Sequence, residues 1–310
     1  MKEEIRQKLL SSGAAAVGFA AAGKVPDDLS ESFEKWIKEG HHAGMDYLER
    51  HIPLRRNTDS VLPGAKTVIS LAFSYVPGQL RDSSLPYIAS YAYGMDYHKV
   101  IRRRLEPLIR EIRGDRGGEW RICVDSAPVE ERYWAVMAGI GMRGMNGSVI
   151  VDGCGSLCFL AEILTTHTID PDSPALNQCD NCSLCVDRCP TRALRGDGTM
   201  DARRCLSYIT IEKRGDFSEE EKRFIGNLAG RQEYLFGCDR CLTVCPHNKF
   251  NKPTEIAEFR ARPEIMAITK ADIMNQSENE LLRLISGTPL VRCKPEGLRR
   301  NLGLGCGNNP

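Results

Sequence analysis

Residues 179–190 read Cys179-Asp-Asn-Cys182-Ser-Leu-Cys185-Val-Asp-Arg-Cys189-Pro190, a C-x2-C-x2-C-x3-C-P run. Three thiolates that are separated by two residues each can wrap one face of a [4Fe-4S] cubane. The fourth cysteine is displaced by one more residue and precedes a proline, so it turns toward a second cluster. The run therefore predicts a second half-motif elsewhere in the chain.

The second half-motif is Cys238-Asp-Arg-Cys241-Leu-Thr-Val-Cys245-Pro246, which has the same ending but lacks the first cysteine. Cys205 is the nearest unassigned thiol that could replace it. In bacterial ferredoxins, the last cysteine of each run ligates the other cluster. This rule predicts two clusters, one held by Cys179, Cys182, Cys185 and Cys245, the other by Cys189, Cys205, Cys238 and Cys241.

A pair of zinc sites is the alternative, because sites with four thiolates also use CxxC pairs. Tetrahedral zinc gives no reason for the interlocked C-x3-C-P endings, so the spacing favours iron–sulfur clusters. Five further cysteines have no ligand spacing and are expected to be buried thiols: Cys123, Cys154, Cys158, Cys293 and Cys306.

The overall composition narrows the class of protein. The chain has 310 residues with 13 cysteines, and cysteine usage this high without a secretory signal indicates metal ligation rather than disulfides. A formal net charge of +1 excludes a uniformly basic nucleic-acid binder but allows a local basic patch. No apolar run reaches the ~18 residues of a membrane span, so we expect a cytoplasmic protein without membrane contact.

The length and the local patterns predict an α+β protein of more than one domain. Residues 66–75 are almost continuously apolar and β-branched, which predicts a strand buried on both faces. Further strands are predicted over 87–93 and 119–124, and a helix from Pro128. An acidic, proline-containing stretch at 169–174 is typical of a connector. The predicted domains are 1–170, the cysteine module 171–252 and a short helical segment 253–310.

The first domain should receive the electrons. A free-standing carrier of two such clusters needs only about sixty residues, yet more than half of this chain precedes the module. No Rossmann, P-loop or zinc-protease motif identifies the acceptor.

Six short blocks, taken in order along the chain, carry a resemblance to a known protein family. Residues 123–128 read CVDSAP, followed by 141–144 (GMRG), 155–162 (GSLCFLAE), 201–212 (DARRCLSYITIE), 237–241 (GCDRC) and 245–248 (CPHN). With the first cysteine run, these blocks resemble the epoxyqueuosine reductase family. The resemblance implies a cobalamin-dependent enzyme that converts epoxyqueuosine to queuosine at the tRNA wobble position. It also implies a nitroreductase-like cobalamin-binding domain followed by a bacterial ferredoxin-type module.

Asp125 is the candidate acid. Opening an epoxide leaves a developing alkoxide, which needs a proton from a positioned acid, and the resemblance implies that Asp125 supplies it. We expect burial beside an apolar cofactor face to raise its pKa. An Asp-Ser pair ahead of Pro128 is also typical of a helix N-cap, which is the structural alternative.

Further site residues follow from the resemblance. Asp96, Tyr97 and His98 are expected to line the catalytic pocket, although a histidine at a helix start is also typical of a solvated surface. Cobalamin contacts are implied at Arg55, Asp125, Val149, Leu160 and Ser207. The glycine-rich segment 141–155 suits close backbone approach to such a cofactor, and a tight β-hairpin is the alternative. No Asp-x-His-x-x-Gly motif is present, so we expect no histidine from the protein below the cobalt.

The tRNA partner requires a segregated basic surface, because the net charge is near zero. The modified base must also be splayed out of the anticodon loop into a pocket. Candidate contacts are Lys99, Arg102, Arg103 and Arg104, and near the end Arg292, Lys294, Arg299 and Arg300, with solvated helix faces as the alternative. We expect a monomer served by an unidentified electron donor.

Two other functions remain open at this stage. A corrinoid reductive dehalogenase of small molecules shares the implied cofactors, but such enzymes commonly carry a twin-arginine leader that this N-terminus lacks. A non-catalytic ferredoxin-type electron carrier would bind no corrinoid.

Overall fold

The computed structural model describes residues 1–176, 179, 182–229 and 232–303. Its strands are β1 (Ala16–Ala21), β2 (Thr67–Ser74), β3 (Tyr87–Ile88), β4 (Trp120–Cys123), β5 (Gly141–Arg143), β6 (Val149–Val151), β7 (Cys158–Thr165) and β8 (Tyr234–Phe236). Four of them form an antiparallel sheet in the order β1-β2-β7-β4. Two short pairs, β5 with β6 and β3 with β8, lie outside this sheet.

The helices surround the sheet and continue past the cysteine module. They are α1 (Lys2–Leu10), α2 (Asp27–Lys38), α3 (Asp46–Arg50), α4 (Ile52–Arg55), α5 (Tyr97–Arg116), α6 (Glu131–Met137), α7 (Leu184–Asp187), α8 (Glu219–Ala229), α9 (Arg240–Thr243), α10 (Pro263–Ala267), α11 (Lys270–Asn275), α12 (Glu278–Ile285) and α13 (Lys294–Gly303). A π-helical turn covers Tyr208–Glu212. Shorter 3-10 turns lie at Thr58–Ser60, Ser90–Ala92, Ala202–Arg204, Pro246–Asn248, Ala257–Phe259 and Pro289–Arg292.

Helices cover both faces of the sheet. Successive side chains of a strand point to opposite faces, and on β7 Ile163 packs with α1 and α5 while Leu164 packs on the side of α6. Strand β2 is buried from Thr67 to Phe73, as its apolar run predicts. The mixed helix and strand content confirms the α+β class.

Several local predictions are corrected by the structure. The strand expected over 87–93 is wrong beyond Ile88, because the chain turns into the 3-10 segment Ser90–Ala92. The helix expected from Pro128 begins at Glu131. Residues 169–174 have no regular structure, as a connector should, and Asp172 ties them to α1 through Arg6.

The C-terminal helices do not form a separate body. Strand β8 of the cysteine module pairs with β3 of the first domain, and a shared core joins Ile88, Phe236, Ile273 and Leu298. The domain boundaries at 170 and 252 therefore stay predictions. The segments on the two sides of each boundary pack against each other. Within the described ranges, no helix is both long and apolar enough to cross a membrane.

The cysteines without ligand spacing are mostly buried. Cys123, Cys154 and Cys293 lie inside the protein, as expected. The prediction of a buried thiol is wrong for Cys158, which is half-buried and lines a cleft. Cys306 lies outside the described residues.

Candidate active site

Asp125 lies in the loop between β4 and α6, at the edge of the sheet. Its backbone has φ of 53°, a left-handed conformation that is uncommon for a residue other than glycine but is tolerated by aspartate. The Asp125 N–H donates to Glu131 Oε1 at 2.6 Å. Helix α6 has Glu130 as its N-cap, and Asp125 lies five residues earlier. The N-cap alternative for Asp125 is therefore wrong.

The predicted residues of α5 meet the Asp125 side chain. Asp125 Oδ2 accepts hydrogen bonds from Tyr97 Oη and from His98 Nε2, each at 2.9 Å. The other ring nitrogen, His98 Nδ1, lies 2.8 Å from Asp96 Oδ1. Asp96 also caps α5 by accepting from the His98 N–H, which fixes the histidine ring between two carboxylates. The solvated-surface alternative for His98 does not account for this arrangement.

These contacts set the charges of the pair. Partial desolvation would raise the pKa of Asp125, whose side chain is still 57% exposed, but the hydrogen bond and charge of His98 outweigh this and the pKa is lowered. The expectation of a raised pKa for Asp125 is wrong in this structure. Desolvation would likewise lower the pKa of His98, yet its bonds to Asp125 and Asp96 raise it to about 9. At neutral pH the proton therefore resides on His98, next to the Asp125 carboxylate.

A cleft opens in front of Asp125. Tyr97 stacks on Phe159 with ring centroids 4.2 Å apart, and Tyr75 packs against the same ring. The predicted contacts Val149 and Leu160 lie in the same lining. The structure thus brings together Tyr97, Asp125, Val149 and Leu160.

The cysteine module forms part of the cleft wall. Leu242 lines the cleft and packs against the core of the first domain, and it directly follows the predicted ligand Cys241. Asn146 of the β5–β6 turn donates from Nδ2 to the Cys241 carbonyl at 3.0 Å. The predicted cluster ligand Cys241 and the candidate acid Asp125 therefore lie on two sides of the same cleft.

The glycine-rich segment 141–155 contains a tight β-hairpin, and its approach to a cofactor stays a prediction. Strands β5 and β6 pair antiparallel, with Gly141 opposite Val151 and Arg143 opposite Val149, and the turn between them is short. At Gly155, φ is +55° and an added Cβ would lie 2.0 Å from Asn248 Oδ1. The space beside Gly155 is thus filled by the protein itself, and the glycine serves packing of the hairpin on the module.

Arg55 and Ser207 lie away from the cleft lining. Arg55 donates from Nε to Glu130 at 2.6 Å and its guanidinium lies over Phe33. Ser207 Oγ lies 3.4 Å from the Cys238 carbonyl, inside the cysteine module. Both assignments to the cofactor stay predictions.

The electrostatic neighbours of the cysteine thiols divide them into two adjoining groups, and the assignment of ligands to two clusters stays a prediction. Burial raises the pKa of Cys245, and the nearby thiols of Cys179 and Cys182 raise it further. Cys185 has the same two neighbours. In the second group, burial raises the pKa of Cys241 to about 12, with contributions from Cys205 and Cys189.

The second group is completed by Cys238, which lies near Cys205 and Cys241. Cys189 Sγ accepts from the Ala193 N–H at 3.2 Å. In the described ranges, no three histidine, cysteine or acidic side chains already form a site for a single metal ion.

Most of the predicted tRNA contacts are engaged within the protein. Arg103 and Arg104 pair with Glu258, and Arg292 pairs with Glu212. The Arg299 and Arg300 guanidinium groups donate to backbone carbonyls, those of Ile273 and Gln276 and those of Lys213 and Gly215 respectively. These assignments are weakened, and Lys99 and Arg102 are the exposed candidates without a recorded ion pair among the described residues.

Two acids next to Asp125, the half-buried Glu131 and the fully buried Glu162, were missed by sequence reasoning. Glu131 holds the Asp125 backbone, and Glu162 lies beneath it on β7 with no exposed surface. The signal for Glu162 was present, because it is the single charged residue of the otherwise apolar strand CFLAEILT. Charged residues are rarely fully buried without a partner.

Comparisons with known proteins now define the family. A family model described as epoxyqueuosine reductase QueG, DUF1730, matches residues 55–126, and one described as a 4Fe-4S double cluster binding domain matches 178–248. The epoxyqueuosine reductase of Pseudomonas aeruginosa is 38% identical over 95% of this chain and 83% of its own length. This chain belongs to the epoxyqueuosine reductase family. The second match confirms an iron–sulfur module, so the zinc alternative is wrong.

Solved epoxyqueuosine reductases share the fold. A crystal structure described as the enzyme with an epoxyqueuosine-modified tRNA-Tyr stem loop is 28% identical, with a TM-score of 0.85 over 98% of this chain and 80% of that chain. A Bacillus subtilis epoxyqueuosine reductase gives the same identity, TM-score and coverage. Its description places a catalytic aspartate loop swung out of the active site.

Proposed function

We propose that this chain reduces epoxyqueuosine to queuosine at the wobble position of tRNA, using two [4Fe-4S] clusters and cobalamin. The cleft carries the proposal: Asp125, bonded to Tyr97 and His98, faces a space whose wall includes Leu242 of the cysteine module. Acid chemistry and electron delivery therefore meet at one place. The solved relative with a modified tRNA stem loop supports this substrate class.

Asp125 and His98 supply protons to the reaction. The conversion consumes a pair of electrons and a pair of protons, forms a carbon–carbon double bond and releases the epoxide oxygen as water. A developing alkoxide beside Asp125 Oδ2 draws the proton that His98 Nε2 holds 2.9 Å away. Asp96, on the far side of the ring, keeps His98 oriented for this transfer.

The lining of the cleft suits a corrin ring. Phe159, Val149 and Leu160 form the apolar part of a lining that also carries Asp125, Glu131, Arg132 and two serines, and a corrin face would rest on that apolar part. When bound there, cobalamin would supply reduced cobalt as the electron donor to the epoxide carbon. His98 has carboxylates on both ring nitrogens, so it is not free to ligate cobalt. Residues 1–170 are thus proposed as the nitroreductase-like cobalamin domain.

The two groups of thiols suit a pair of cubanes. The first would be held by Cys179, Cys182 and Cys185 of the first run together with Cys245 of the second, as the neighbours of Cys245 support. The second would be held around Cys241, whose neighbour Leu242 reaches the cleft. We therefore propose that electrons enter the cleft from the cluster at Cys241.

A second cleft, of about 580 Å³, is proposed to hold the tRNA backbone next to the flipped base. Its lining includes Ser126, which directly follows Asp125. Its lining also includes Trp120, Glu106 and four arginines of α5 and β4: Arg102, Arg110, Arg113, which pairs with Glu119, and Arg121, which donates to the Val61 carbonyl. Guanidinium groups bind phosphates and aromatic rings stack on unpaired bases.

Removing arginines from this second cleft is expected to weaken tRNA binding. In the Arg102→Ala, Arg110→Ala double variant, KM for tRNA should rise about tenfold and its salt dependence should flatten, with kcat within about twofold of the parent. Arg103→Ala is the matched control, since Arg103 is an exposed arginine of the same helix that pairs with Glu258. An unchanged KM in the double variant, or an equal rise in the control, contradicts this surface.

The activity itself is tested by reconstitution. Protein loaded with iron, sulfide and cobalamin should convert epoxyqueuosine in tRNA to queuosine under a strong reductant, measured by nucleoside mass spectrometry. Omission of cobalamin should abolish conversion while the cluster absorption persists. Failure of the fully loaded protein to convert the modified tRNA would reject the proposed function.

A further inference from the structure

Glu162 is an ionisable group buried in the floor of the site. It lies on β7, between Ser70 of β2 and Cys123 of β4. Cys123 precedes Asp125 by two residues in the chain. Glu162 is 0% exposed, its Oε1 lies 3.5 Å from Ser70 Oγ, and its Oε2 has no partner within the described part of the chain. An ionised carboxylate in such a place is costly unless it is paired, so the neutral acid is favoured.

Glu131 lies directly above Glu162. Glu131 is in the first turn of α6, and the Glu162 side chain faces α6 because it shares its side of the sheet with Leu164. The two carboxyl groups are within hydrogen-bonding reach. Glu131 Oε1 is already occupied by the Asp125 N–H at 2.6 Å. Two facing carboxylates cannot bond unless one of them carries a proton.

We propose that Glu162 is a neutral acid that donates a hydrogen bond to Glu131 and thereby fixes Glu131 as the acceptor that holds the Asp125 loop inward. This arrangement gives the orphaned Glu162 oxygen a partner and leaves Glu131 free to accept from Asp125. Both glutamates are positioning residues, since neither is argued to touch the substrate. The inference deepens the proposed function and rests on it for its catalytic meaning.

The Asp125 loop needs such a restraint. Its left-handed backbone is a conformation that the surrounding structure must hold in place. The Bacillus subtilis relative is described with its catalytic aspartate loop swung out, so a loop of this kind can leave the site in the family. Tyr97 and His98 hold the Asp125 side chain, and Glu131 holds its backbone.

The charges around the pair give the restraint a pH dependence. Burial and, to a smaller extent, the charge of Asp125 raise the pKa of Glu131 to about 7, against the lowering effects of the Asp125 N–H, Arg132 and Arg55. Burial raises the pKa of Glu162 well above its ordinary value, and Glu131 adds to this. Above about pH 7, ionised Glu131 accepts a charge-assisted bond from Asp125, and acidification weakens that bond.

The first test is spectroscopic and needs no turnover. The infrared C=O band of a protonated carboxyl group should persist in the holoenzyme at about pH 8 and disappear in Glu162→Gln. Glu4→Gln, at an exposed glutamate paired with Arg116, is the matched control and should keep the band. The proposal is overturned if the parent shows no such band, or if the band remains in Glu162→Gln.

The second test follows the loop itself by hydrogen exchange of the peptide that contains Asp125. Loss of the donor in Glu162→Leu should speed exchange of the Asp125 amide by about tenfold or more, whereas Glu162→Gln, which can still donate, should stay within about threefold of the parent. Unchanged exchange in Glu162→Leu overturns the proposal.

Glu131→Gln tests the same link in case Glu162→Leu does not fold. Its amide oxygen can still accept from Asp125 but does not titrate, so the additional loosening of the loop below about pH 7 should vanish. Persistence of that loosening in Glu131→Gln overturns the proposal. If the protein passes these tests but does not convert epoxyqueuosine tRNA, the proposed function is rejected. The inference that Glu162 and Glu131 restrain the Asp125 loop then still stands.

Discussion

Asp125→Asn is expected to lower turnover of epoxyqueuosine tRNA by about 10²- to 10⁴-fold, the range for loss of a general acid. Asparagine keeps the size of the side chain and can still accept from Tyr97 Oη, so the cleft should keep its shape. It removes the carboxylate through which the His98 proton reaches the developing alkoxide, and with it the charge that raises the pKa of His98. Single-turnover conversion by cofactor-loaded protein measures the effect.

Cofactor content separates this role from a structural one. Asp125→Asn should retain cobalamin and iron at parental levels and bind tRNA with an affinity within about threefold of the parent. Asp170→Asn, an exposed aspartate in the connector, is the control and should turn over normally. Near-normal turnover in Asp125→Asn would show that the acid lies elsewhere.

Paired cysteine substitutions are expected to reveal which thiols share a cluster. The parent should contain about eight iron atoms per chain, and Cys182→Ser with Cys245→Ser should retain about four, because both are assigned to one cluster. Cys182→Ser with Cys241→Ser should retain almost none, because each change removes a ligand from a different cluster. Both double variants should lose turnover, since each lacks at least one cluster of the relay.

Iron analysis and electron paramagnetic resonance of the reduced proteins measure this result. Cys293→Ala is the control, since Cys293 is buried near Thr210 and belongs to neither group of thiols. Equal iron content in the two double variants would contradict the interlock. Loss of almost all iron from both double variants would instead indicate that each run holds its own cluster.

Short sequence patterns predicted those features whose residues lie close together in the chain. The spacing of the first cysteine run predicted the iron–sulfur module, because three of its ligands lie within seven residues. The apolar run at 66–75 predicted β2, because burial on both faces demands continuous apolar residues. The ordered blocks, among them residues 123–128 around Asp125, indicated the family, which the relatives confirm.

Predictions failed where a distant partner decides the outcome. The strand at 87–93 ends at Ile88, because Asp239 of the module accepts from the Ser90 N–H and the chain turns there. Arg104 was a candidate for tRNA, but it pairs with Glu258 from 154 residues away. No pattern within a short window contains such information.

The sequence by itself determined the module chemistry and the α+β class, because these depend on residue type and short spacing. Only the tertiary structure decided the charge of Asp125, the position of Leu242 at the cleft and the meeting of Glu131 with Glu162. Each of these depends on side chains from separate elements that packing brings within a few ångströms, where desolvation and hydrogen bonds set the proton positions.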